Sequence, residues 1–266
     1  LIRQTENSLP LFNQNFVQVK ALGIIPSRYQ STRFPGKPLI DIAGKTMIQR
    51  VYEQASKSAL LKEVIVATDD QRIFDHVKSF GGNVMMTRAE HTNGTLRCGE
   101  VIETKTGYDV VINIQGDEPL VKPDQLDKLL ELFHNPQTEI ATVVKRLHHS
   151  ADIENENRIK VVLDYQQNAI YFSRSPVPFV QGKQLVHWPE FIPYFKHIGV
   201  YAWRTETLKK LLHLPSTALE KAESLEQLRW LYHGYKIATI ETDSETPNID
   251  TPEDVATVIR ALNENI

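Results

Sequence analysis

The sequence predicts an α/β protein with a doubly wound, largely parallel sheet. Three observations predict it. Short apolar runs alternate with stretches of helical periodicity. Several runs stop abruptly in Asp, Gly and Pro, as strands do at a sheet edge where loops gather. The 266 residues, 41% hydrophobic and 24% charged, suffice for one large core.

The elements follow in order. Residues 1–17 read as a tail, and 18–266 as one domain. VQVKALGIIP, from Val17 to Pro26, is apolar enough for a buried strand. Thr46–Ala59 carries Met47, Val51 and Ala55 on one helical face. Val64–Ala67 is a strand, and Asp70 then caps a helix that Gly81-Gly82 stops. Val84–Thr87 and DVVINI (Asp109–Ile114) are strands, with a helix over Leu96–Lys105 between them. Pro123 suits the first turn of a helix running to His134. Later strands are expected at Ile140–Leu147, Ile159–Leu163, Ala169–Ser173, Lys196–Trp203 and Lys236–Thr242, and helices at Thr205–Leu212, Ser224–Tyr232 and Pro252–Leu262. The proline-rich stretch from Ser175 to Pro193 reads as an irregular excursion, and roughly 174–203 as a substrate flap.

Composition excludes several classes. A net charge of −3 argues against a nucleic-acid binder. No apolar run approaches the ~20 residues of a membrane span, and the polar opening LIRQTENSLP does not read as a signal peptide. The single cysteine, Cys98, excludes an intrachain disulfide and fits a reducing compartment. It reads as a small buried helix residue. The sequon at Asn93 reads as chance.

IIPSRYQSTRFPGKPL follows the first strand and concentrates Arg28, Arg33 and Lys37. Such cations repel each other unless an anion neutralises them. Arg offers bidentate hydrogen bonds to phosphate and Lys a point charge. The bland alternative is a solvated basic loop. Pro26, Pro35 and Pro38 stiffen the segment against a buried strand and favour a triphosphate, with Ser31 and Thr32 as further donors and Gly36 admitting close backbone approach. Gly44-Lys45-Thr46 resembles the end of a Walker A loop, but Leu39 stands where its first glycine belongs.

Asp117 leaves the DVVINI strand in QGDEP, beside the expected phosphates. It suits a magnesium ligand, or alternatively a turn before Pro119. Asp250, in PNIDTPED, suits a second ligand or the cap of the last helix.

The loop resembles the signature of the CMP-Kdo synthetases (3-deoxy-manno-octulosonate cytidylyltransferases), IPARY-x-S-[ST]-R-[LF]-PGKPL, with Ser27 in place of the usual Ala. QGDEP, YFSR, H-[IL]-G-[IV]-Y, E-Q-L-R and D-T-P-E-D extend the resemblance from about Val19 to Leu262. It implies a three-layer nucleotide-diphospho-sugar-transferase-like fold with a mixed, mostly parallel sheet and an inserted flap. It implies a magnesium-dependent, cytoplasmic homodimer that activates Kdo with CTP for lipopolysaccharide synthesis. The implied nucleotide residues are Pro26, Ser27, Arg28, Ser31, Arg33, Lys37, Gly94, Arg97, Gln115 and Asp117, of which Arg28, Arg33, Lys37 and Asp117 serve catalysis. Asp117 and Asp250 are the implied metal ligands; Arg174, His197, Tyr201, Glu226 and Gln227 the implied sugar residues.

The chain departs from the family at the base-reading loop H-x-S-G-T-[DE]-R, where Asn93 replaces Ser and Leu96 an acid. That places cytosine selectivity in question. The rivals are a transferase for another acid sugar (amino-Kdo or a sialate), a binding protein without catalysis, and a glycosyltransferase, whose usual D-x-D is absent.

Overall fold

The computed structural model describes residues 19–30, 34–244 and 246–264. Its first half contains β1 (Ala21–Ser27), a short ribbon of β2 (Asp41–Ile42) and β3 (Lys45–Thr46), α1 (Met47–Ala55), β4 (Leu61–Thr68), α2 (Gln71–Ser79), β5 (Val84–Met86), α3 (Gly94–Thr104), β6 (Val110–Asn113) and α4 (Pro123–Glu131). The second half adds β7 (Ile140–Leu147), α5 (Ser150–Glu154), β8 (Lys160–Leu163), β9 (Ala169–Ser173), α6 (Trp188–Phe191), β10 (Tyr194–Arg204), α7 (Thr205–Leu211), α8 (Ala218–Glu223), α9 (Gln227–Tyr232), β11 (Ile237–Glu241) and α10 (Asp254–Glu264).

One sheet runs β11-β7-β10-β6-β1-β4-β5, with β8 attached to β10 and β9 to β8. β1 pairs in parallel with β4 and β6, β4 with β5, and β7 with β11. β10 runs antiparallel to β6, β7 and β8. The sheet is therefore mixed, as the family resemblance implied, and β10 is the strand that reverses the direction. A strand entering between β6 and β7 from the far end reverses the direction locally.

Both sheet faces are apolar, so both must be covered. Ile48 and Val51 of α1, Ile73 of α2 and Leu126 of α4 pack on one face with Ile25 and Ile112. Val101 of α3, Leu208 of α7 and Trp230 of α9 pack on the other with Ile24 and Trp203. Three layers result.

Local chemistry sets the helix starts. Thr46 caps α1 through Gln49 N, and Asp70 caps α2 through Arg72 N. Pro123 opens α4, which ends at Glu131 before a 3-10 turn over Leu132–His134. The expected helix over 224–232 starts later, at Gln227 as α9, and is preceded by α8, which was not expected. Ser224 adopts a left-handed φ of 52°, so α8 stops there and α9 starts at Gln227. The last helix begins at Asp254, not Pro252. The irregular excursion occupies residues 174–193, and the strand expected over 196–203 is β10, which begins slightly earlier, at Tyr194. The excursion covers its own small core of Leu147, Ile153, Trp188 and Tyr194. The expected tail, 1–17, lies outside the described residues, as does Val17 of the first strand.

A fourth cluster matters for the site. Ile249 and Val258 pack on Ile42 and Met47, all at 1% exposure or less. Full burial of each such side chain contributes about 2 kcal/mol. This docks α10 and the segment before it against the β2–β3 ribbon and α1.

Candidate functional site

A groove follows the carboxyl ends of β1 and β6, where open α/β sheets place their ligands. Three adjoining cavities compose it. The first, about 430 Å³, is lined by Ser27, Arg28, Lys37, Gln115 and Asp117 among others. The second, about 300 Å³, takes in Asn93, Gly94, Arg97, Tyr201 and Glu226. The third, also about 300 Å³, takes in Asp117, His197, Gly199 and Asp250. Gln115 lines all three.

Two glycines let the walls approach. A Cβ on Gly94 would sit 2.9 Å from Asn113 Nδ2, and one on Gly116 would sit 2.9 Å from the Pro26 carbonyl. The second clash is against backbone and has no side chain to yield. Gly36, at φ 74°, closes the basic loop by donating its N–H to Tyr29 O at 2.9 Å.

Lys37 is the hub of the first cavity. Its Nζ donates to Asp117 Oδ2 at 2.9 Å and to Ile249 O at 2.7 Å, and lies 3.7 Å from Asp250 Oδ1. Ile249 N donates in turn to Asp117 O at 3.0 Å. Two carboxylates from distant parts of the chain therefore face one ammonium. Asp254, the first residue of α10, accepts at Oδ2 from Asp250 N and Thr251 N. Asp250 Oδ2 meets Asn248 Nδ2 at 3.1 Å.

Arg28 lines the groove and also donates to the carbonyls of His91 and Thr92, both at 3.0 Å. It thereby ties the basic loop to the loop before α3. Ser27 is buried, and its Oγ has no partner among the described residues. A buried unpaired hydroxyl costs about 1–3 kcal/mol, which a ligand oxygen would relieve. Ser31, Thr32 and Arg33 lie outside the described residues.

At the second cavity Asn93 takes over the start of α3: its Oδ1 accepts from Leu96 N at 2.9 Å. The loss of the family's acid at 96 thus leaves the helix capped. Arg97 is 1% exposed; it donates to Thr87 Oγ1 and, at 3.2 Å, to Asp69 Oδ2. Its guanidinium is committed to protein partners on the cavity wall.

The expected sugar residues divide. His197 and Tyr201 stand together, ring centroids 5.1 Å apart, across a β10 bulge between Ile198 and Tyr201. Gln115 Nε2 donates to Gly199 O at 2.6 Å inside that bulge. Glu226 reaches the second cavity, where it accepts from Thr95 Oγ1 at 2.7 Å. Gln227 is buried, and its Nε2 has no partner among the described residues. Arg174 is placed elsewhere. Its Nε donates to Glu223 O at 2.7 Å and its Nη1 to Glu156 O at 3.3 Å, and it lines none of the three cavities. Its side chain is directed to backbone carbonyls rather than to the groove. Those carbonyls satisfy its donors locally.

Residues that escaped sequence reasoning include Asn113, Gln125, Asn157 and Lys196, all groove-lining. Only Lys196 carried a signal, its place beside His197 in KHIGVY.

Burial, with the nearby Lys196 charge, depresses the His197 pKa from 6.5 to about 3. Its Nε2 lies 3.0 Å from Thr142 Oγ1. The ring is therefore neutral throughout the physiological range and works as a hydrogen-bonding group rather than a cation. The unfolded chain binds this proton first, so the stability contribution is full above pH 6.5 and falls as the pH drops from there towards 3. Urea midpoints measured across that window are expected to fall, and to fall less steeply in His197→Asn. Equal slopes for the two proteins would refute this placement of the ring.

Magnesium fits the donor set at Lys37. Hard oxygens from one or two carboxylates, completed by phosphate and water, suit that ion. Asp117 and Asp250 supply two such groups, and among the described residues no cluster of three His, Cys, Asp or Glu side chains forms a protein-only cage.

The family model for cytidylyltransferases matches residues 22–237. With the mixed three-layer sheet and the groove at its carboxyl edge, this defines the class as a nucleotidyltransferase. A 3-deoxy-manno-octulosonate cytidylyltransferase of Parabacteroides distasonis is 51% identical over 249 residues, covering 92% of this chain and 98% of that protein. Its counterpart in Bacteroides thetaiotaomicron is 53% identical over 242 residues, covering 89% and 96%. A solved structure described as CMP:2-keto-3-deoxy-manno-octonic acid synthetase complexed with CTP superposes with a TM-score of 0.87 at 42% identity, covering 93% of this chain and all of that one. The chain belongs to the 3-deoxy-manno-octulosonate cytidylyltransferase family.

Proposed function

We propose that this enzyme transfers the CMP moiety of CTP to 3-deoxy-D-manno-octulosonate, releasing pyrophosphate, in the service of lipopolysaccharide synthesis. The observation that carries it is the convergence of Asp117 and Asp250 on Lys37 beside the basic loop. A site for joining an anionic sugar to a nucleoside triphosphate needs fixed cations for the phosphates and fixed carboxylates for a metal.

Asp117 and Asp250 would hold magnesium, which neutralises phosphate charge and polarises the attacking hydroxyl when bound. Lys37 sits where it can follow the triphosphate, and Arg28 adds a second cation at the groove. Arg33 is assigned the same role by family position. The sugar C2 hydroxyl attacks the α-phosphorus in line, its proton is lost, and the bond to the β-phosphate oxygen breaks as pyrophosphate leaves. Asn93, Gly94, Thr95 and Arg97 surround the base, and His197, Tyr201, Glu226 and Gln227 the sugar. With Arg174 held by backbone carbonyls, a role for it at the sugar requires those bonds to open.

A homodimer is part of this proposal. Phe179, Val186, Phe191 and Ile192 are exposed on the 174–193 excursion, and an apolar patch of that kind suits a second copy of the chain. Sedimentation of a monomer at working concentration would remove this element. CTP supply and the single buried thiol, Cys98, suit a cytoplasmic setting. No helix among the described residues is long and apolar enough to cross a membrane.

Pyrophosphate release is the direct test. It is expected only with CTP, the sugar acid and magnesium together. Release that persists without the sugar acid, or proceeds equally well with a sialate, would overturn the assignment.

A further inference from the structure

We infer that Arg229 is a positioning residue that holds the Glu226 carboxylate aimed into the groove. This rests on Glu226 contacting the sugar, as proposed above. Arg229 does not itself line the cavity; it acts only through Glu226.

Two hydrogen bonds and one longer ion pair hold the guanidinium, whose Nε has no hydrogen-bond partner among the described residues. Nη2 donates to Glu226 Oε1 at 2.8 Å, Nη1 to Leu214 O at 3.3 Å, and Nε lies 3.6 Å from Glu220 Oε2. Glu220 is fixed in turn by the α8 capping box, where its carboxylate accepts from Thr217 N and its own N–H donates to Thr217 Oγ1. From the opposite side, Thr95 Oγ1 and Asn93 Nδ2 donate to the two oxygens of Glu226 at 2.7 and 3.2 Å. Glu226 thus bridges the loop before α3 and the start of α9, with Arg229 as its only close cation among the described residues. Asn93, where the family pattern has Ser, is long enough both to cap α3 and to reach Glu226.

The charged and titratable groups around Glu226 are Arg229 on α9, Glu220 on α8, Cys98 and its neighbour Arg97 on α3, and Tyr201 on β10. Burial pushes the Glu226 carboxyl up; the Thr95 hydrogen bond and the Arg229 charge pull it down, and Glu220 pushes it up again. Arg229 and Glu220 therefore act in opposite directions on one proton. A purely structural role for either residue makes no such pair of signs.

The KM for the sugar acid, measured at saturating CTP across the pH range that spans its acid limb, reads this proton. Arg229→Met is expected to move the acid limb up by about one pH unit, raising KM about tenfold below it and little above it. Arg229→Lys is expected to return the limb towards the parent, and Glu220→Gln to move it down. CTP affinity, measured separately, should be unchanged in all three. Glu226→Gln separates the two layers of inference. If it raises the sugar KM at every pH while Arg229→Met superposes on the parent profile, the positioning role is overturned and the sugar pocket stands. If it leaves the sugar KM unaltered, the pocket reading fails and the positioning role with it. Should Arg229→Met not fold, Glu220→Gln decides by sign: a limb that stays put or rises overturns the inference.

Discussion

Asp117→Asn is expected to lower kcat about 10³-fold or more while leaving the thermal midpoint close to that of the parent. The substitution keeps the side-chain shape and removes one negative charge. Asp117 stands where β6 has just ended, its backbone carbonyl bonded to Ile249 N, so the local fold does not depend on the carboxylate alone. The charge, however, has two tasks. In the proposed site it would offer a hard anionic ligand for a divalent ion, and it meets the Lys37 ammonium at 2.9 Å. Without it the ammonium retains, among the described residues, Asp250 at 3.7 Å as its carboxylate partner, and the proposed metal site would lose one of its two ligands. Steady-state pyrophosphate release, with circular dichroism as a fold check, measures the effect. Turnover within tenfold of the parent would remove Asp117 from the metal site.

Lys37→Met ranks second. It is expected to lower kcat/KM for CTP by about 10²-fold, through KM and kcat together. Met preserves much of the stem but leaves Asp117 and Asp250 facing each other with no intervening cation. It also releases Ile249 O, the point at which the segment before α10 is pinned to the basic loop. Excess magnesium should restore part of the loss, because the two unshielded carboxylates then attract the ion more strongly. Unchanged kinetics for CTP would mean that the basic loop is a solvated surface after all.

Much of this could be traced in the sequence, for stated reasons. Strand β1 and the loop after it were legible because a run of buried aliphatics ending in Pro, Arg and Gly leaves few alternatives. Asp70 as a cap and Pro123 at a helix start were legible because capping is decided within a turn of chain. Ser224 was not: nothing in SLEQL announces a left-handed residue, so the helix was expected to start there rather than at Gln227. The partners of Arg174 were not legible for a related reason. YFSR places it at a strand end, but the carbonyls that hold it belong to Glu223 and Glu156, which only packing brings near.

By itself, the sequence settled which chemical groups this protein has to work with, and roughly on which short elements they ride, because strand burial, helix caps and loop stiffness are matters of neighbours along the chain. Tertiary structure decided which of those groups meet. Lys37, Asp117 and Asp250 converge because α10 is docked by Ile249 and Val258, and Glu226 is gripped from two sides because α9 packs across β10 from α3. Such meetings depend on the burial of distant apolar faces against one another, a long-range free energy that no local pattern encodes.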